Sequence, residues 1–140
     1  MASKQQITGM RGVYLVAAEL SRLSFIASPT SRGAAGADIL VTDQSCKKAY
    51  SIQVKTNASR GNFWLLNKGA EKHVSESHIY VLVIIRKLKD RDKNEYFVVP
   101  SKNLVQKIRY SKSKKGNWSS VYVEDIEEYR ENWGLFGEAE

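Results

Sequence analysis

Three polar side chains sit where strand packing has no use for them. Asp38 opens the run Asp38-Ile39-Leu40-Val41 directly after a Gly-rich loop. Gln53 and Lys55 interrupt the run Ser51-Ile52-Gln53-Val54-Lys55-Thr56. Both runs read as short apolar strands. Side chains alternate faces along a strand, so Gln53 and Lys55 point one way and Ile52 and Val54 the other. The polar connection between the runs is short enough for a hairpin. An antiparallel pair joined in this way gathers a carboxylate, an amide and an amine at one edge of a sheet. These are groups that ligate, donate and accept rather than pack.

A helix over residues 9–23 stands upstream. Val13, Val16, Ala17, Leu20 and Leu23 form its apolar stripe. Glu19 does not lie on the opposite, polar side. At about 100° per residue it falls between Leu15 and Leu23, with Gly12 on the same side. A carboxylate in that position is costly to bury unless something pairs with it. Either an Arg or solvent satisfies it, or it works in a site. Gly12 allows the close approach of a neighbouring backbone.

Helix, Gly-rich loop, Asp, then Gln-x-Lys on the next strand resembles the core of the PD-(D/E)XK nuclease superfamily, which includes restriction enzymes and Holliday-junction resolvases. The match is clearest over residues 9–57, in a Gln-x-Lys variant with Gln53 where the pattern usually has an acid. The resemblance implies an α/β, restriction-endonuclease-like fold. Its mixed central sheet of about five strands has the N-terminal helix on one face and a helix starting at Ser101 on the other. It implies a catalytic set of Glu19, Asp38, Gln53 and Lys55. Asp38, Gln53 and Glu19 would hold Mg²⁺ or Mn²⁺, which favour hard oxygen donors. Lys55 would orient or deprotonate the attacking water, or offset phosphate charge. Gln in place of an acid removes one negative charge and weakens the hold on a metal. Two readings stay open: a metal-dependent nuclease hydrolysing DNA phosphodiester bonds, or a catalytically inactive nucleic-acid-binding module on the same fold. The resemblance also raises a homodimer, since such enzymes cut two strands symmetrically.

Charge agrees with a nucleic-acid partner, DNA favoured. The net charge of +7 hides an asymmetry. Residues 1–115 hold 21 Lys/Arg against 8 Asp/Glu, whereas residues 116–140 hold 1 against 7. A basic body favours polyanions through counterion release. Arg32 in the Gly-rich loop, Arg60 after the second strand, and Lys107, Arg109, Lys112, Lys114 and Lys115 among serines are the candidate phosphate contacts. An acidic segment covering part of the basic surface is a further way to read the asymmetry.

The 140 residues suit one domain. The longest apolar run, residues 79–85, is far too short for a membrane span and reads as a buried central strand. The N-terminus lacks a signal-peptide core, and a lone Cys46 makes no internal disulfide; both fit the cytoplasm. Further strands are expected near residues 25–27, 62–66 and 95–100, the second as the third strand of a meander. A helix is expected over residues 101–110, an extended segment over 118–123 and an acidic helix over 124–132. Trp133, Leu135 and Phe136 form a terminal apolar cluster that packs back or meets a partner. His73 and His78 read as structural or exposed groups. No phosphate-binding loop and no Ser-His-Asp or Cys-His set appears.

Overall fold

The computed structural model describes residues 1–31, 36–67 and 69–139. Helix α1 spans Lys4–Arg22. It begins well before Gly9 because Ser3 and Gln6 form a capping box: the Ser3 hydroxyl accepts from the Gln6 amide, and the Gln6 side chain accepts from the Ser3 amide. Strands β1 (Ile26–Pro29), β2 (Ile39–Thr42) and β3 (Ala49–Asn57) follow as an antiparallel meander. Strand β5 (His78–Lys87) then pairs parallel with β3, and β6 (Asp92–Pro100) pairs antiparallel with β5. The order β1-β2-β3-β5-β6 makes a five-stranded mixed sheet, as the sequence leads one to expect.

Strand β4 (Phe63–Leu66) does not continue the meander. It pairs with β8 (Gly116–Tyr122), which pairs with β7 (Arg109–Ser113), in a separate three-stranded sheet. The burial of the two candidate strands explains the choice. β5 is buried from His78 through Ile85 and needs cover on both faces, which only the interior position beside β3 supplies. β4 alternates, with Trp64 and Leu66 buried and Phe63 and Leu65 exposed. One covered face suffices for it, and it lies across the large sheet with Trp64 Nε1 donating to the Val83 carbonyl at 2.9 Å.

The large sheet thus has two apolar layers. Ile52, Val54, Ile79, Val81 and Val83 face Val16 and Leu20 of α1. Tyr80, Leu82 and Ile84 face Leu104 of helix α2 (Ser101–Lys107) together with Trp64 and Val121 of the small sheet. The two helices lie on opposite faces, as expected. Gly12 is required where α1 meets β3, because a Cβ there would stand 1.7 Å from the Thr56 hydroxyl oxygen.

Two other expectations change. Helix α2 stops at Lys107, since Ile108 is extended and leads into β7. Residues 124–132 do not form a helix but two short 3₁₀ turns, Val123–Asp125 and Glu127–Tyr129, with Ile126 buried between them. One helix would crowd five acids together; here Arg109 takes Glu124 and Asp125, and Arg130 takes Glu127. Trp133 and Phe136 pack back into the α1-side layer, Phe136 meeting Phe25 and Tyr50 edge-on. Among the described residues no helix is long and apolar enough to cross a membrane.

Candidate active site

The β2–β3 register sets the site. Ile39 pairs with Ile52, so one step back Asp38 stands opposite Gln53. The Asp38 amide donates to the Ile52 carbonyl at 2.7 Å, which fixes its backbone. Its carboxylate oxygen Oδ2 accepts from the Val54 amide at 2.8 Å and from Gln53 Nε2 at 3.1 Å. Charge-assisted bonds of this kind hold a carboxylate firmly. The far end of the preceding loop is also tied down. Thr30 donates through its hydroxyl to the Ala37 carbonyl at 2.7 Å and through its amide to the Asp38 carbonyl at 2.9 Å. Gly36, at φ +79°, turns the chain into Asp38 with a backbone that other residues adopt only at a cost.

Gln53 and Lys55 point to the α2-side face, and Val54 to the α1 side. Asp38, Gln53 and Lys55 line a cavity of 300 Å³ with Gly36, His73 and Tyr80. Lys55 is partly buried. Burial pulls its ammonium below the usual lysine range, and the Asp38 charge only partly opposes that. Asp38 and Gln53 also line a 480 Å³ groove on the α1 side, where Gln6, Gly9 and Val13 face them.

Glu19 is not brought to this group. It pairs with Arg22 at 2.9 Å, and with burial its charge helps push the Tyr96 hydroxyl up to about 12. The Gly12–Thr56 contact fixes where α1 sits, and Glu19 lies about 10 Å further along the helix axis at 1.5 Å per residue. The helix positions that do face Asp38 carry no acid, and no three His, Cys, Asp or Glu among the described residues gather to hold a metal.

The sequence reading missed His73 and Tyr80. Gly69, at φ +86°, starts a short turn over Ala70–Lys72 that delivers His73 to the cavity; Tyr80 is the β5 partner of Gln53. His73 lies against Gly36, 3.6 Å from where a Cβ would be. A polar 3₁₀ turn carries no pattern that announces such a role. His78 is buried, with Nδ1 hydrogen-bonded to Ser51 Oγ at 2.7 Å. Burial, with the nearby His73 charge, keeps its pKa low.

The candidate phosphate contacts divide. Lys107 pairs with Glu128, and Arg109 with Glu124 and Asp125. Arg60 is exposed beyond β3. Lys112, Lys114 and Lys115 lie at or beside the β7–β8 turn. Arg32 lies outside the described residues. No described residue of 116–140 lines the Asp38 cavity.

No family model matches the chain, and no curated protein matches it in sequence. Solved structures do resemble it. Hjc, a Holliday junction resolvase from Archaeoglobus fulgidus, is 15% identical with a TM-score of 0.50, covering 85% of this chain and 87% of its own. The bacterial homing endonuclease I-Ssp6803I is 11% identical with a TM-score of 0.55, covering 96% of this chain and 91% of its own. In fold, the chain is a restriction-endonuclease-like α/β protein.

Proposed function

We propose that this protein is a metal-dependent nuclease that hydrolyses DNA phosphodiester bonds at the Asp38 cavity. The observation that carries the reading is the convergence of Asp38, Gln53 and Lys55 at one cavity, on a fold shared with two nucleases. The donor set fits a hard cation. Oδ1 of Asp38, the amide oxygen of Gln53 and the Val54 carbonyl are the oxygens that would hold it, and such an ion supplies charge neutralisation and a more acidic bound water. Lys55 needs no metal to matter. Desolvated beside Asp38, it is poised to take a proton from water or to neutralise phosphate oxygens. The hydrogen bond from Gln53 to Asp38 keeps the carboxylate in place before any cation arrives. An acid at 53 would instead repel Asp38 in the free protein.

The test is cleavage of duplex and branched DNA with Mg²⁺ or Mn²⁺. Cutting is expected in the wild type and absent in Asp38→Ala and Lys55→Ala. Cutting that survives both substitutions in clean preparations overturns the assignment. One observation favours a second reading, a module that binds without cutting: among the described residues the cavity holds a single carboxylate, with its Oδ2 already engaged. That reading expects salt-sensitive, chelator-insensitive binding and no product. A homodimer belongs to the same proposal and is checked by molar mass in solution.

A further inference from the structure

Strand β3 outlasts its partner on one side. β2 pairs with it only as far as Ile52, and the Asp38 carboxylate carries the contact on to the Val54 amide. On its other side β3 pairs with β5 through Asn57. Among the described residues no strand therefore meets the β2-side edge from Lys55 to Asn57. A groove of 520 Å³ lies along this stretch, bounded by the first turns of α1 and by β4. Lys55 lines both this groove and the Asp38 cavity, so the two meet at that side chain.

The walls of the groove differ in chemistry. Lys4 and Lys55 bring two cations, Gln5 and Thr8 add hydrogen-bonding groups, and no acid lines the groove among the described residues. The β4 wall belongs to the outer face of the small sheet. Phe63 pairs there with Tyr122 and Leu65 with Ser120, and Trp118 follows Ser120 on the same face two residues along β8. Phe63 is 36% exposed and Leu65 60% exposed. The Phe63 ring is held in place by stacking on Tyr122 at 5.5 Å. Leu65 gains little from folding where it stands.

A nucleic-acid strand is two-sided in the same way, with anionic phosphates along one edge and sugars and bases along the other. An acidic, apolar peptide also matches the two walls. The position of the groove decides between them: a strand with its scissile phosphate in the Asp38 cavity has its neighbouring nucleotides at Lys55, where the groove begins. We propose that this groove seats the DNA strand beside the scissile phosphate, with Lys4 meeting a phosphate and Phe63 and Leu65 meeting sugars and base edges. The proposal rests on the nuclease reading and gives the substrate a path, from Asp38 past Lys55 along the open edge of β3.

The test uses the full chain and a labelled branched DNA in chelator, with salt varied. Lys4→Ala should weaken binding several-fold and lower the slope of log affinity against log salt by about one, the loss of a single phosphate contact. Lys4→Arg should keep both near the wild-type values. A photoactivatable crosslinker placed at position 65, by Leu65→Cys in a Cys46→Ser background, should attach to the DNA. The same reagent on the exposed native Cys46, in the β2–β3 hairpin, should not. Unchanged affinity and salt slope in Lys4→Ala, or no attachment from position 65, overturns the proposal whether or not the protein cuts. The nuclease reading is scored separately with metal. Attachment and a lowered slope without product in any metal remove the nuclease and keep the groove as a DNA site.

Discussion

The two sheets use the same residue types in opposite ways. In the five-stranded sheet, β5 is buried from His78 through Ile85, with both faces covered. In the three-stranded sheet, Leu65 is 60% exposed and Trp118 46% exposed. One sheet uses its apolar groups to build a frame, and that frame sets the register holding Asp38 against Gln53. The other leaves apolar groups of its outer face, Leu65 and Trp118, in water. The two sheets meet at the layer of Trp64, Leu82 and Val121.

Core truncation breaks this comparison most severely. Leu82→Ala is expected to cost about 2–5 kcal/mol, as buried leucines do. Leu65→Ala on the exposed strand should stay within about 0.5 kcal/mol. Urea denaturation of the two variants reads both. Equal losses would mean that the small sheet's outer face is covered in solution.

The α1–β3 contact comes next. Gly12→Ala places a Cβ against the Thr56 side chain, and overpacking of this kind costs about 1–3 kcal/mol. Thr56→Ala should recover part of that loss, because the Thr56 hydroxyl is buried with no hydrogen-bond partner among the described residues. Thermal melts of the single and double variants check the coupling.

Gln53→Glu sharpens the contrast within β3. It replaces the hydrogen bond to Asp38 with a second carboxylate, so stability in chelator should fall by about 1 kcal/mol. Mn²⁺ should restore it, and calorimetry should show tighter metal binding than in the wild type.

The smallest expected effect is the pH dependence. Burial holds the folded-state pKa of Lys55 below the ordinary lysine value of 10.5. Between that lowered value and 10.5 the unfolded chain binds more protons, so stability gains from Lys55 as pH rises through the window. Lys55→Met should flatten that rise. His78 is also lowered, from 6.5. Its neutral form is the one the fold keeps, so stability falls as pH drops below 6.5, and melts from neutral to acidic pH should show it.

Local patterns made much of this legible. Alternation in β3 separates Gln53 and Lys55 from Ile52 and Val54, and the hairpin places Asp38 beside them. The apolar run of β5 announces a central strand. What is not legible depends on distant contacts. The axial position of α1 is set by Gly12 against Thr56, which is why Glu19 ends beside Arg22 and Tyr96 rather than near Asp38. β4 leaves the meander because β5 takes the place beside β3, and no local signal compares the two. The acids of residues 124–131 look helical alone, but Arg109 and Arg130 draw them into short turns.

One measurement bears most directly on the central claim: cleavage of a branched DNA by wild type and Asp38→Ala, side by side, with Mn²⁺ and with chelator. The account predicts product only from the wild type with Mn²⁺, while both proteins still bind the DNA. Equal cutting by Asp38→Ala, or binding with no product from the wild type in any metal, would contradict it.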